Sequence, residues 1–481
     1  MYRLTRSPII SIKESRELDK YSIETLEIPS SVLMEEAAQR LYCKIRKLIT
    51  KDNNIMIIAG EGNNGGDALS IARKLYFDDY RFEVYIYKPK SIKVGSLFET
   101  HLNILNNLNI KTKDLIDNFK GLEKADLIID GLFGTGYRYS ETADELINKI
   151  NKLQKKIVSI DIPSGLNQDS DGGICADRTL TIGYRKDIFY NTGLRKKCGR
   201  ITNIPLSFKM LTDKPRYNII NKIQTKQINN HFVNKYSRGA LLAIGGSDGM
   251  YGAINYSIKA AYSSGAGIVC LLTDKETIQQ LNPLIPEAII DQIDNINNYI
   301  PSKYTTTLIG PGLKESKNNI SIITNILKMP NIKHILDASF FSMFKPEILN
   351  EIPITPILTP HSGEFCRFFG IDPSVFRSNT LSILSETSSK YRSYILLKDT
   401  FLALSLPDGR INIYDKQFRA AAQAGSGDII SGTIAGLLAQ SEDYEYSIYR
   451  SIELFYKAIN KISKNKNSYD PFRLINTLRK N

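Results

Sequence analysis

Gly425-Ser-Gly-Asp428 stands just ahead of Ile429, Ile430, Ile434, Leu437 and Leu438, whose spacing is helical. Glycines that open a helix present backbone amides able to neutralise charge on a transferring phosphoryl group. An Asp in that turn can take a proton from an attacking hydroxyl. The same string also suits a plain helix N-cap by Asp428. A second glycine run, Gly60-Glu-Gly-Asn-Asn-Gly-Gly-Asp67, follows the apolar stretch Ile55–Ala59 and precedes Leu69, Ile71, Ala72 and Leu75. Four glycines let the backbone approach a ligand closely, and the helix start beyond them favours a phosphate-bearing one. The run is neither a Walker loop nor the G-x-G-x-x-G dinucleotide fingerprint. Asp130-Gly-Leu-Phe-Gly-Thr-Gly136 and Asp161-Ile-Pro-Ser-Gly165 each set an Asp at the end of an apolar run, with a glycine-bearing loop after it.

These residues need strands to hold them. Short β-branched runs alternate with longer helical periodicity, the pattern of βαβ units and a largely parallel sheet. The first half offers strands at Ile55–Ala59, Phe82–Tyr87, Leu127–Asp130 and Ile157–Asp161, and a helix carrying Leu33, Met34, Ala37, Ala38, Leu41 and Ile45 with Ser30 or Ser31 as its cap. A second series begins at Ala240–Ile244 and continues through Ile268–Leu272, Thr307–Ile309, Ile335–Asp337, Tyr394–Leu397, Phe401–Leu406 and Ile411–Tyr414. Between them, residues 213–233 are polar and read as a linker, so the expected division is 1–212, linker 213–233, and 234–481. The fold class is α/β with two domains. In an open parallel sheet ligands bind beyond the carboxyl ends of the strands, so the three glycine loops of the first half should converge there.

Composition narrows the function classes. At 481 residues with 42% hydrophobic and 23% charged, the chain is long enough for two or three cores and is not a disordered protein. The net charge of +13 invites a nucleic-acid partner. However, Lys457, Lys461, Lys464, Lys466, Arg473, Arg479 and Lys480 face only Asp470 in the last 26 residues, so nearly half of that charge is a solvated tail. No nucleic acid is expected. Cys43, Cys175, Cys198, Cys270 and Cys366 are scattered without a C-x-x-C pair, which excludes a disulfide framework and a zinc site and fits a reducing cytoplasm. Four histidines (His101, His231, His334, His361) are too few to suggest a histidine-built metal site. No signal peptide or membrane span is expected, since no apolar run nears ~18 residues.

Taken in order, Glu14-Ser-Arg-Glu-Leu-Asp19, Ile28-Pro29, Leu33-Met-Glu-Glu-Ala-Ala38, the glycine run ending at Asp67, and the loops after Asp130 and Asp161 resemble the NAD(P)H-hydrate epimerase domain. Ala68 departs from the family's usual Gly. The resemblance implies a Rossmann-like αβα sandwich. Asn63, Asn64, Gly65, Gly66, Asp67, Gly134, Thr135, Gly136 and Asp161 would bind the damaged cofactor. Asn64, Asp130 and Ser164 would hold a potassium ion through oxygen, and Asp161 would do the acid–base work.

In the second half, Gly245-Gly-Ser-Asp-Gly-Met-Tyr-Gly-Ala253, Gly310-Pro-Gly-Leu313, Thr359-Pro-His-Ser-Gly-Glu364, Lys398 and Gly425–Asp428 resemble the ADP- or ATP-dependent NAD(P)H-hydrate dehydratase, a ribokinase-like αβα domain. Asp428 would then be the general base, with Ala253, Gly312, His361 and Asp428 on the hydrated nicotinamide. Lys398, Asp399, Thr400, Phe401, Leu402, Gly425, Ser426 and Gly427 would contact the nucleotide, which brings magnesium. Departures from the family pattern fall at Asn234-Lys-Tyr236, Lys314, Ser339, Asp399 and Arg419-Ala-Ala-Ala-Gln423. Asp399 would repel phosphate unless it points away.

Together the halves resemble a bifunctional NAD(P)H-hydrate repair enzyme, with small-molecule substrates, no membrane, and a homo-oligomer left open. A vitamin or sugar kinase on the same fold, and a non-catalytic nicotinamide-nucleotide scaffold, stay open as alternatives. The fused first half has no use in a plain kinase.

Overall fold

The computed structural model describes residues 2–87, 92–167, 172–207, 210, 214–225, 234–236, 238–299, 303–416, 423–462 and 469–479. The expected departures from Arg419 to Ala422, and the tail residues Lys464, Lys466 and Lys480, lie outside them. The chain divides into two units. One holds Pro8–Tyr217 and Arg377–Leu381. The other holds Met1–Ser7, Asn218–Phe376 and Ser382–Asn481. Among the described residues no helix is long and apolar enough to cross a membrane.

The first unit is built on β1 (Tyr2–Ile10, of which Pro8–Ile10 belong here), β2 (Ile55–Ala59), β3 (Phe82–Ile86), β4 (Thr112–Asp114), β5 (Leu127–Gly131), β6 (Lys156–Ile160), β7 (Arg178–Ile182), β8 (Arg185–Lys186) and β9 (Arg200–Ile204). Seven of these form a sheet in the order β4-β3-β2-β5-β6-β7-β9, every neighbouring pair parallel. β2 and β5 are buried along their whole length, as a parallel strand covered on both faces must be, and their Ile-rich sequences follow from that. Ala59 lies beside Gly131 in register. Strand order reverses between β2 and β5, so a crevice opens at their carboxyl ends. β8 is a two-residue strand held beside Ile9 and Ile10. The helix Ser30–Ile45 buries Leu33, Met34, Ala37, Ala38, Leu41 and Ile45 as their spacing predicts. Its cap position is Pro29, however, so Ser30 and Ser31 lie inside the first turn and cap nothing.

The second unit adds β10 (Tyr217–Thr225), β11 (Ala240–Ile244), β12 (Ile268–Thr273), β13 (Ile289–Gln292), β14 (Thr306–Ile309), β15 (Lys333–Leu336), β16 (Ile357–Leu358), β17 (Tyr394–Lys398), β18 (Leu402–Ser405) and β19 (Ile411–Tyr414). Their order is β13-β12-β11-β14-β15-β16-β17-β18-β19-β10, followed by the first residues of β1. From β13 to β17 all pairs are parallel, and β17-β18-β19 are antiparallel. The order reverses between β11 and β14. Over this sheet the helix Tyr251–Ser263 meets the helix Ser426–Leu438 so closely that a Cβ on Gly432 or Gly436 would lie 2.1 Å from the Ser257 carbonyl oxygen or 2.4 Å from that of Ala261.

Two expectations need correction. The stretch 213–233 is not wholly a linker: β10 occupies Tyr217–Thr225 and buries Ile219, Ile220 and Ile223, whose polar neighbours Asn221, Lys222 and Gln224 mask the pattern. The N-terminal boundary at residue 1 differs too, because Met1–Ser7 belong with the second unit. There Tyr2 donates a hydrogen bond to Glu445 (2.9 Å) and sets its ring 5.2 Å from that of Tyr449.

Candidate active sites at two sheet switch points

In the first unit the glycine run is only a three-residue loop, Gly60–Gly62, since the helix Asn63–Phe77 already begins at Asn63. Asn64, Gly65, Gly66 and Asp67 are its buried opening turns. The glycines answer to distance: a Cβ on Gly60 would lie 2.0 Å from the Leu132 carbonyl oxygen, and one on Gly65 1.7 Å from that of Gly60. The loops after β2 and β5 are thereby pressed together. Ala68 fits without strain, wholly buried beside Gly131.

A cavity of about 920 Å³ opens at this point. Asn63, Asn64, Asp67, Gly134, Thr135, Gly136 and Asp161, all expected ligand contacts, line it. Gly65 and Gly66 lie behind the lining and shape it. Arg16 donates a hydrogen bond to the Thr135 carbonyl, tying the helix Ile12–Glu24 to the Gly134–Gly136 loop.

Asp130, Ser164 and Asn64 form an oxygen-rich cluster, of which only Asn64 lines the cavity while Asp130 and Ser164 are wholly buried. Asp130 is wholly buried and accepts from the Ser159 hydroxyl (2.7 Å), the Ser164 amide (3.0 Å) and the Ser164 hydroxyl (2.5 Å). Burial raises its pKa, while those hydrogen bonds pull the other way. The Asn64 amide donates to the Phe133 carbonyl (2.9 Å), and its Oδ1 is buried with no hydrogen-bond partner among the described residues.

Asp161 sits at a positive φ of 59°, which turns its carboxylate off the end of β6 into the cavity. Its Oδ1 accepts from the Ile182 amide (2.9 Å) and from Lys186 Nζ (2.5 Å). Lys186 is buried, and its ammonium also donates to Thr181 Oγ1 (3.1 Å) and the Ile182 carbonyl (2.7 Å). The sequence reading missed Lys186. Its only sequence signal was a lysine shortly past a strand end, which a chain with 63 Lys and Arg offers many times over. Asp19, at the cavity mouth, was noted only within a motif. Burial and the charge of Asp161 push its pKa up to about 6, against the pull of Lys186. Asp67 stands well above the usual carboxylate range through burial first, then Asp161, Asp19 and Glu35.

In the second unit the loops after β11 and β14 interlock. The Gly246 amide donates to the Pro311 carbonyl (2.9 Å) and the Ser247 hydroxyl to the Gly312 carbonyl (2.8 Å). Gly312 has a φ of 67°, and a Cβ there would lie 2.1 Å from the Met250 carbonyl oxygen. Ala253 stands in the first turn of the helix Tyr251–Ser263, which follows this junction.

Asp428 lies in the first turn of the helix Ser426–Leu438, whose cap is Gly425 at φ 85°. Asp428 is therefore not the N-cap, and its carboxylate stays available. Its backbone carbonyl accepts from Ser257 (3.1 Å), which anchors that turn to the Ala253 helix. Burial, helped by Asp337 and opposed by Lys398, raises its pKa to about 6. Lys398, ending β17, pairs with the buried Asp337 at 2.8 Å. Its Nζ lies 3.1 Å from where a Gly427 Cβ would be, so the glycine makes room for the ammonium beside the helix start. Asp337, named from the sequence only as the end of an expected strand, is thus part of the constellation.

His361 caps the helix Ser362–Phe369. Its Nδ1 accepts from the Gly363 amide (3.0 Å) and the Glu364 amide, and Glu364 reciprocates by accepting from the His361 amide (2.9 Å). With Nδ1 an acceptor, the ring proton belongs on Nε2, which lies 3.5 Å from the Glu364 carboxylate. The Asp399 carboxylate is held at both oxygens: Ser362 donates to one and the Thr400 amide to the other (2.6 Å). Phe401 and Leu402 are core residues, which leaves only their backbone to a ligand, whereas Thr400 is exposed.

Two family models match the chain: YjeF-related protein N-terminus over residues 30–188, and NAD(P)H-hydrate dehydratase over residues 241–480. The bifunctional NAD(P)H-hydrate repair enzyme Nnr of Moorella thermoacetica is 26% identical over 473 residues, covering 90% of this chain and 88% of that protein. Its counterpart in Dictyoglomus turgidum is 28% identical over 466 residues, with 90% and 89% covered. A solved structure of the ADP/ATP-dependent NAD(P)H-hydrate dehydratase from Bacillus subtilis, co-crystallised with ATP/Mg2+, is 23% identical, covers 53% of this chain and 92% of that one, and superposes with a TM-score of 0.47.

Proposed function

Because this chain belongs to the bifunctional NAD(P)H-hydrate repair enzymes, an epimerase joined to a dehydratase, we propose that its two sites divide the repair of hydrated NADH and NADPH between them. Water added to the dihydropyridine ring leaves a hydroxyl that is a poor leaving group. In the second unit ADP or ATP phosphorylates that hydroxyl, and loss of phosphate and a ring proton restores NAD(P)H. Asp428 takes the hydroxyl proton as the oxygen attacks the terminal phosphorus. The amides of Gly425, Ser426 and Gly427 and the Lys398 ammonium face the charge that builds on the phosphoryl oxygens. Ala253, Gly312 and His361 hold the nicotinamide; Asp399 and Thr400, with the backbone of Phe401 and Leu402, border the nucleotide, whose magnesium arrives with it. In the first unit Asp161 handles the proton that the exchange of R and S hydrates requires, so that a dehydratase selective for the S form can repair both.

The oxygen cluster beside the first cavity fits a potassium ion. Asn64 Oδ1 lacks a partner, and the Asp130 carboxylate and the Ser164 hydroxyl add the hard ligands such a cation takes. Bound there, the ion would supply fixed positive charge for the anionic groups of the ligand.

One observation carries this reading. Each unit has glycine-bound loops at its own sheet's reversal point, and the second sets a carboxylate in a helix's first turn beside a lysine. The test is the full chain incubated with a mixture of R and S NADH hydrate and ADP, following reduced-nicotinamide absorbance. The wild type should recover all of it. Asp428→Ala should recover none while the isomers still exchange, and Asp161→Ala should recover only the S fraction. Equal loss of both activities in either variant would refute the division, and nucleotide consumption without recovered absorbance would point to a plain kinase.

A further inference from the structure

Four carboxyl groups, those of Asp19, Glu61, Asp67 and Asp161, and the Lys186 ammonium line the first cavity, in unequal surroundings. Asp161 Oδ1 is held by a backbone amide and by Lys186, whose three bonds leave its ammonium no freedom to swing. Asp67 is the opposite case. It lines the same cavity, is 6% exposed, and its Oδ1 is buried with no hydrogen-bond partner among the described residues. The charged groups around Asp67 are Asp161, Asp19 from the helix Ile12–Glu24 and Glu35 from the helix Ser30–Ile45. Glu35 is committed to Arg73 (2.7 Å) and Lys74 (3.0 Å), and Lys186 is committed to Asp161. A second carboxylate anion here would be buried beside anions with no cation of its own, an arrangement that favours keeping the proton.

We propose that Lys186 and Asp67 complete the isomerisation machinery, Lys186 holding Asp161 in place as the proton acceptor and Asp67 serving as the neutral acid. This rests on the first unit being the epimerase. The reacting carbon carries the added hydroxyl and is bonded to the ring nitrogen. As the C–O bond breaks, the nitrogen lone pair forms a C=N⁺ bond, and the Asp67 proton goes to the departing oxygen, which leaves as water. A water then adds to the opposite face. Its oxygen forms the new C–O bond, the C=N⁺ electrons return to nitrogen, and its surplus proton goes to Asp161. Return of that proton to Asp67 resets the site. The opposite isomer runs the same steps backwards. Asp67 is a catalytic residue in this scheme, and Lys186 is a positioning residue that acts through Asp161.

The test uses the full chain without nucleotide, so that dehydration is idle, and follows the exchange of separated R and S NADH hydrate. Lys186→Met should lower kcat about 100-fold or more with KM within about threefold, and Lys186→Arg should restore at least about a tenth of the rate. Asp67→Asn, which keeps shape but carries no transferable proton, should lower kcat about 100-fold and abolish the alkaline arm of the pH profile. Because Lys186 is buried, Lys186→Arg and Asp67→Asn carry the test if the methionine variant does not fold. Rates within about threefold of wild type in Asp67→Asn, or an unchanged alkaline arm in what activity it retains, overturn the proposal; so does a Lys186→Arg variant that folds yet is inactive. A wild-type chain that exchanges neither isomer would instead overturn the epimerase assignment itself.

Discussion

Asp428 is the residue on which the dehydratase reading can be pressed hardest. A general base works only when deprotonated, and burial with Asp337 has lifted this one to about 6. The dehydration rate should therefore climb with pH through about 6 and level off above it, a shape visible in initial rates at saturating ADP. Lys398 is the main group pulling that value down, ahead of the residue's own backbone amide. Lys398→Met should move the acid arm upward, whatever it does to the plateau, and an arm still centred at 6 would separate Lys398 from Asp428. At this scale the sequence was legible wherever a residue's role lies in its own loop. Asp428 and Asp161 could be singled out by type and position, whereas Asn64, Asp130 and Ser164 were named as a set only through the family resemblance. Lys186 and Asp337 could not, because their importance comes from a partner brought near by folding: Asp161, 25 positions away, in one case and Lys398, 61 away, in the other. The expectation that Asp399 endangers phosphate binding turned on side-chain direction, which Ser362 and the Thr400 amide decide.

The strand ends and helix starts carry their own constraints. Gly65 opens the helix Asn63–Phe77 directly under the Gly60 carbonyl. Gly65→Ala should force the loop and the helix apart at a cost of about 2–3 kcal/mol, seen as a lower melting temperature together with lost epimerisation, while Asp428-dependent dehydration persists. Central parallel strands were easy to read, since burial on both faces leaves continuous apolar runs such as Ile55–Ala59 and Ala240–Ile244. Strands with one wet face were not. β10 interleaves Asn221, Lys222 and Gln224 with its buried isoleucines, and β1 alternates in the same way. Two-residue strands such as β8 have no periodicity to detect.

On the scale of the whole chain, the two units are not simply consecutive. The second takes Met1–Ser7 from ahead of the first. Tyr2 and Leu4 pack against its core, and Tyr2 bonds Glu445. Deleting residues 2–7 should remove about 2 kcal/mol from that unit and lower the temperature at which dehydration fails by about 5 °C, leaving epimerisation at its normal value. Calorimetry paired with the two assays would check this, and a variant that lost epimerisation first would contradict the assignment. Composition and motif order sufficed to find two α/β units, but nothing local in Tyr2–Ser7 says which of them the segment joins.

That borrowed segment has a consequence for synthesis. At about 5–20 residues per second, the ribosome needs some tens of seconds to make the roughly two hundred residues between Ser7 and the strand that Tyr2–Ser7 will lie beside. During that interval Tyr2–Ser7 are a strand without a mate, tethered to a first unit that still lacks only Arg377–Leu381. The second unit cannot close its sheet until translation has passed β10, so products truncated before it should hold the Pro8–Tyr217 part of the first unit with Tyr2–Ser7 as an unsatisfied apolar end.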